Sequence, residues 1–180
     1  LALNKNWNRD DLKKVWIIGE AGSGKTAVMT MAYCAITEKL DKNFSLYPVP
    51  LFIQLREFNV KELKIFQDDS VDSLKTLVTL WLIKRLKEMA IKLEFNSLAD
   101  RIVDNIQKNK IALFLDTVDE FANIPFQEKI LAKLFLSVPI IVAATRPEAY
   151  NPETTVDGGY TVIRIPTLWS IESLNELVKS

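Results

Sequence analysis

Eight consecutive residues constrain this chain more than any others: Gly19-Glu20-Ala21-Gly22-Ser23-Gly24-Lys25-Thr26. Glycine, four residues, glycine, lysine and threonine make up the complete pattern of a phosphate-binding loop. The pattern has meaning only between a strand and a helix. Here it follows the apolar run Val15-Trp16-Ile17-Ile18 and opens a stretch of good helix formers with no proline before Pro48. Glycines let the backbone curl so that successive amide N–H groups point inward, and the helix N-terminus adds partial positive charge. Three of the chain's five glycines stand in these eight positions. All eight residues are therefore candidate nucleotide contacts. Lys25 is expected to set its ammonium against the β and γ phosphates, and Thr26 to offer its hydroxyl oxygen to Mg²⁺.

A strand feeding a loop and a helix implies more of the same. Five apolar runs are bounded by polar or turn residues: Val15 to Ile18, Pro50 to Leu55, Ile111 to Leu115, Val138 to Ala144 and Tyr160 to Ile165. The first four are continuously apolar, as strands buried on both faces of a parallel sheet are. The fifth alternates and suits an edge. Helix-length stretches lie between them: Lys25 to Leu40, Val71 to about Leu93, Leu98 to Gln107 and Phe126 to Leu136. Alternating strands and helices predict an α/β sheet with right-handed crossovers. Leu74, Leu77, Leu80, Trp81, Leu86, Met89 and Leu93 recur near helical spacing and read as a core-facing stripe rather than a partner-binding face. The basic cluster Lys84-Arg85-Leu86-Lys87 reads as the solvated side of that helix. Phe58 to Ser70 and Pro152 to Gly159 are the candidate surface loops.

Composition then removes whole classes of chemistry. With 180 residues the chain is sized for one domain. Its 23 basic and 23 acidic residues cancel, so no net field favours nucleic acid or an anionic membrane surface. There is no histidine, which excludes a Ser-His-Asp triad and a Cys-His nucleophile. The single cysteine, Cys34, cannot form an internal disulfide, and a cytoplasmic setting is expected. No apolar run reaches the roughly 18 residues of a membrane span. The first residue is not methionine and the last segment resembles the start of a helix, so the chain is expected to be a piece of a larger protein.

Without histidine, acid-base work falls to carboxylates or to metal-activated water. The third run supplies carboxylates at its end: Leu115-Asp116-Thr117-Val118-Asp119-Glu120. Ligands of open α/β sheets bind at the carboxyl ends of strands, which sets Asp116 near the phosphate loop as a second candidate for Mg²⁺. Asp119 and Glu120 are candidates to orient or deprotonate an attacking water, with Glu120 narrowly preferred. The plain alternative is an aspartate that merely ends a strand in a turn, and the phosphate loop outweighs it. The fourth run ends in Thr145-Arg146-Pro147. Arg146 is a candidate sensor of the γ-phosphate, the alternative being a surface arginine that closes a strand.

Taken together, these residues resemble the NACHT domains of the STAND class of P-loop NTPases, found in NOD-like receptors and bacterial antiphage proteins. Four landmarks occur in the family's order: Gly19 to Thr26, Pro50 to Arg56, Leu113 to Glu120, and Ala144 to Pro147. Thr117 stands where the family usually has glycine. The resemblance implies a three-layer P-loop sandwich with a five-stranded parallel sheet of order 5-1-4-3-2. It also implies Mg²⁺ at Thr26 and Asp116, ATP or ADP as ligand, and a sensor role for Arg146. It further implies a nucleotide-controlled switch that self-associates through the parent protein in signalling or defence. No residue distinguishes adenine from guanine. A AAA+-type turnover ATPase is the rival reading, and a module that holds nucleotide without hydrolysing it is a third.

Overall fold

The computed structural model describes residues 14–42, 47–63, 72–87, 95–119, 133–150 and 160–166. Its elements are β1 (Lys14–Ile18), α1 (Lys25–Lys42), β2 (Val49–Gln54), α2 (Val60–Leu63), α3 (Ser73–Lys87), α4 (Phe95–Gln107), β3 (Ile111–Asp116), β4 (Ile141–Thr145) and β5 (Thr161–Arg164). Residues 133–137 are also helical. The strands form one parallel sheet of order β2-β3-β4-β1-β5, which is the expected 5-1-4-3-2 read from the other edge.

Burial explains why the runs are continuously apolar. One face of the sheet, with Trp16, Ile18, Ile53, Leu113, Leu115, Ile141 and Ala143, packs under Leu74, Leu77, Val78 and Leu82 of α3, with Ala99, Val103 and Ile106 of α4 in the same core. The other face, with Val15, Ile17, Phe114, Val142 and Ala144, packs under Met29, Ala32, Ile36 and Leu40 of α1. Both faces are covered, as a parallel sheet requires. Each fully buried large side chain, such as Phe114 or Leu115, contributes about 1.5–3 kcal/mol of burial free energy. At the β5 edge Thr161, Val162 and Arg164 are exposed and Ile163 is half-buried, so burial alternates only from Val162 onward. Tyr160, just before β5, sets its ring edge against Phe135, and burial pushes its phenol above the ordinary range.

The α3 stripe is core-facing in part. Leu74 and Leu77 are buried, Leu80, Trp81 and Leu86 pack at its margin, and Met89 and Leu93 lie outside the described residues. The basic cluster is tied down at the surface: Lys84 pairs with Glu62 at 3.2 Å and Arg85 with Glu57 at 2.9 Å. Those partners correct the first part of the loop expected from Phe58 to Ser70, residues 58–63; residues 64–70 lie outside the described residues. Phe58 is buried, and Asn59 and Glu62 exchange side-chain-to-backbone hydrogen bonds of 2.7 and 2.9 Å that start α2. This is a capping box, legible as Asn-x-x-Glu. The fourth strand begins at Ile141, not Val138, because Val138 N–H still donates to Leu134 O at 3.1 Å and Pro139 has no N–H to give. Of the helix expected from Phe126 to Leu136, only its last turn falls among the described residues, and the whole of the expected loop Pro152 to Gly159 lies outside them.

Sheet register fixes what meets at the carboxyl edge. Ile18 stands opposite Thr145 on one side and Arg164 on the other, and Gln54 stands opposite Asp116. The segments leaving β1, β3 and β4 therefore emerge side by side. At the opposite edge α4 ends with Asn109 at φ 58°, and Lys110 N–H reaches Asn105 O at 2.9 Å. That Schellman turn delivers the chain directly into β3.

Candidate functional site

The phosphate loop is shaped by its own residues. Gly22 and Gly24 take φ of 76° and 91°, a region that L side chains resist. Open space surrounds both α-carbons, so glycine is required there for conformation and not for room. Gly19 is the reverse case: a β-carbon on it would collide with the Ser23 hydroxyl and sit 3.2 Å from Ile165 O. The ammonium of Lys25 donates to Gly19 O at 2.5 Å and to Glu20 O at 2.7 Å, which holds the side chain over the loop.

Thr26, at the second position of α1, donates its hydroxyl to Asp116 Oδ2 at 2.8 Å. Asp116 is fully buried, and its other oxygen, Oδ1, accepts the Thr117 N–H at 2.9 Å. One hydrogen bond across ninety positions of sequence thus joins the loop to the end of β3. Because the Thr26 proton points at the carboxylate, the hydroxyl oxygen keeps its lone pairs for a cation. Mg²⁺ is commonly held by one or two protein oxygens, with phosphates and water completing its shell. The pair Thr26 and Asp116 fits that requirement, although no cluster of three or more carboxylate, cysteine or histidine ligands exists among the described residues.

Beyond β3 and β4 stands an ion pair, Arg146 Nε to Asp119 Oδ2 at 3.0 Å. Asp119 is largely shielded while Arg146 is about half exposed, 13% against 52%. Ala21, Gly22, Gly24, Lys25, Thr26, Asp116, Thr117, Asp119 and Arg146 together line a cavity of about 340 Å³. The structure therefore assembles in one place most of the residues singled out from sequence. Glu120 lies outside the described residues. Ser23 points its hydroxyl beneath the loop, buried and without a hydrogen-bond partner among the described residues, so it does not line this cavity.

Gly19 and Glu20 face a neighbouring cavity of about 280 Å³, walled by Ile18, Pro147, Arg164, Ile165 and Pro166. Sequence reasoning missed Arg164 and Pro166 because they lie at and just beyond the end of β5, remote in sequence from the loop. The signal was the strand order: once β5 lies beside β1, its end must flank the loop. Thr117, noted only as a departure from glycine, also proves to line the main cavity. Its φ of 58° is the reason glycine suits the position. A β-branched residue there carries strain on the order of 1–3 kcal/mol.

Neither a family model nor a curated protein sequence matches the chain. Among solved structures it is similar to the Orc1 protein of Aeropyrum pernix in complex with DNA, at 14% identity and a TM-score of 0.58, covering 93% of this chain and 42% of that one. It is also similar to Cdc6p of Pyrobaculum aerophilum at 14% identity, covering 97% and 45%, but a TM-score of 0.43 is too loose to carry an argument. The chain spans less than half the length of either protein. At this identity the likeness is one of fold. Together with the strand order and the loop it establishes a P-loop NTPase fold; it does not reach NACHT domains in particular.

Proposed function

We propose that this chain is the nucleotide-binding core of a regulatory ATPase, binding ATP with Mg²⁺ and hydrolysing it slowly. The observation that carries the proposal is the 2.8 Å contact between Thr26 and Asp116, which sets two oxygen ligands at the mouth of the glycine loop. In this reading Lys25 exchanges its two carbonyl partners for phosphate oxygens, and the amides around Gly22 and Gly24 face the phosphates. Mg²⁺, which Thr26 and Asp116 would hold, would supply charge neutralisation for the phosphates. Asp119 and Glu120 orient or deprotonate the attacking water, and Arg146 answers to the γ-phosphate. The cavity beside Gly19 and Glu20, with Ile18, Pro147, Ile165 and Pro166 as apolar walls, is sized for the base.

The finer reading is a STAND-type switch in which ATP favours one state and hydrolysis resets it, with self-association and signalling or defence output carried by other parts of the protein. It is supported by the NACHT-like order of the four sequence landmarks and by the pairing of Arg146 with Asp119, which gives the candidate sensor a partner to leave. The rival, a AAA+-type turnover ATPase, draws on the fold likeness to the Orc1 protein. DNA is named with that protein, while the balanced charge of this chain gives no sign of a nucleic-acid surface.

Steady-state phosphate release separates the two. The switch predicts tight nucleotide binding with turnover on the order of 10⁻² s⁻¹ or slower, as in nucleotide switches. Turnover on the order of 1–10³ s⁻¹ would replace it with the AAA+ reading.

A further inference from the structure

Thr117 sits at φ 58° with a branched side chain, and three hydrogen bonds hold it there. Its N–H donates to Asp116 Oδ1 at 2.9 Å, its hydroxyl donates to Asp116 O at 2.7 Å, and the same hydroxyl accepts the Arg56 N–H at 3.1 Å. Arg56 lies two residues past the end of β2, where Gln54 and Asp116 close the ladder between the two strands. Glycine would adopt this φ freely, yet it would leave the Arg56 amide and the Asp116 carbonyl without these partners.

We infer that Thr117 is a positioning residue for Asp116: its hydroxyl ties the end of β3 to the end of β2 and so holds the Asp116 carboxylate toward Thr26 in the orientation that binds a divalent cation. The inference rests on the nucleotide reading above. The left-handed turn aims the Thr117 N–H back at Oδ1, while Thr26 engages Oδ2, so each carboxylate oxygen has its own donor. A carboxylate held at both oxygens does not rotate about its Cβ–Cγ bond, so its remaining lone pairs keep fixed directions. Partners that orient a metal ligand in this way commonly govern metal affinity without touching the metal. Thr117 reaches the cavity wall, but its hydroxyl is occupied within the β2–β3 junction.

The test compares the parent with Thr117→Ser, Thr117→Val and Thr117→Gly, using ATP calorimetry in Mg²⁺ and in EDTA, with hydrogen exchange of the Arg56 amide read by NMR. Serine keeps the hydroxyl, valine keeps the shape, and glycine relieves the backbone, so a folding defect in valine leaves glycine as the second probe. Valine and glycine are expected to lose about tenfold of the gain in ATP affinity that Mg²⁺ provides, read for each variant as the ratio of its affinities in Mg²⁺ and in EDTA. Arg56 exchange should accelerate in both, and serine should match the parent in every readout. If valine and glycine keep the full Mg²⁺ gain, the inference is overturned whether or not Arg56 exchange changes. A parent that shows no Mg²⁺ gain overturns the nucleotide reading itself, and this outcome is recognised without any variant.

Discussion

The two halves of the cavity are built in opposite ways. On the loop side most interactions are local: Ser23 N–H donates to Glu20 O at 3.1 Å, Lys25 reaches back to Gly19 and Glu20, and two glycines supply the turn, while Gly19 N–H reaches out of the loop to Thr145 O at 3.3 Å. On the acidic side nothing is local except the Asp116–Thr117 turn. Thr26 meets Asp116 across ninety positions, Arg56 meets Thr117 across 61, and Arg146 meets Asp119 only because β3 and β4 are neighbours. A local device tolerates change elsewhere in the fold, whereas a device made by strand register is as good as the register. The phosphate half should therefore set whether nucleotide binds at all, and the acidic half should set which nucleotide state is recognised.

The sharpest way to break this contrast is Lys25→Ala. Loss of two charge-assisted contacts predicts at least about 100-fold weaker ATP binding by calorimetry. An unchanged Kd would remove the loop from the phosphate site. Next in size is Asp116→Ala, for which the gain from Mg²⁺ should vanish, a loss of about tenfold or more, while affinity in EDTA stays near the parent's. Equal Mg²⁺ dependence in variant and parent would move the metal elsewhere. Arg146→Ala should compress the ratio of ATP to ADP affinity by about tenfold, the worth of one charge-assisted hydrogen bond. A preserved ratio would leave Arg146 as a strand-ending surface residue. Glu120→Gln should keep ATP affinity and slow phosphate release, and equal release rates would take Glu120 out of the mechanism. The smallest effect is the control at the far surface. Lys75 and Asp100 form a 2.6 Å pair with both side chains well exposed, so Lys75→Ala should change unfolding free energy by less than about 1 kcal/mol and leave nucleotide binding alone.

The same contrast decides what could be read without coordinates. The loop was legible residue by residue because its geometry is written in consecutive positions. The strands were legible because burial on both faces leaves continuous apolar runs such as Ile111 to Leu115. Asp116 was legible from its place at a strand end. What escaped depends on partners remote in sequence: the Arg146–Asp119 pair, the flanking of Gly19 by Ile165 and Arg164, and the tie from Arg56 to Thr117. The capping box at Asn59 was written locally and overlooked, since its helix is only four residues long. Thr117 lies between these cases. Its departure from glycine was visible, but the positive φ that gives the departure meaning was not.

The central claim is that the Thr26–Asp116 pair completes a Mg²⁺-nucleotide site at the glycine loop. The most direct measurement is ATP binding to this chain by calorimetry, in Mg²⁺ and then in EDTA. The account predicts saturable one-to-one binding that Mg²⁺ tightens by about tenfold or more. Binding that is absent, or equally tight in both conditions, would contradict it.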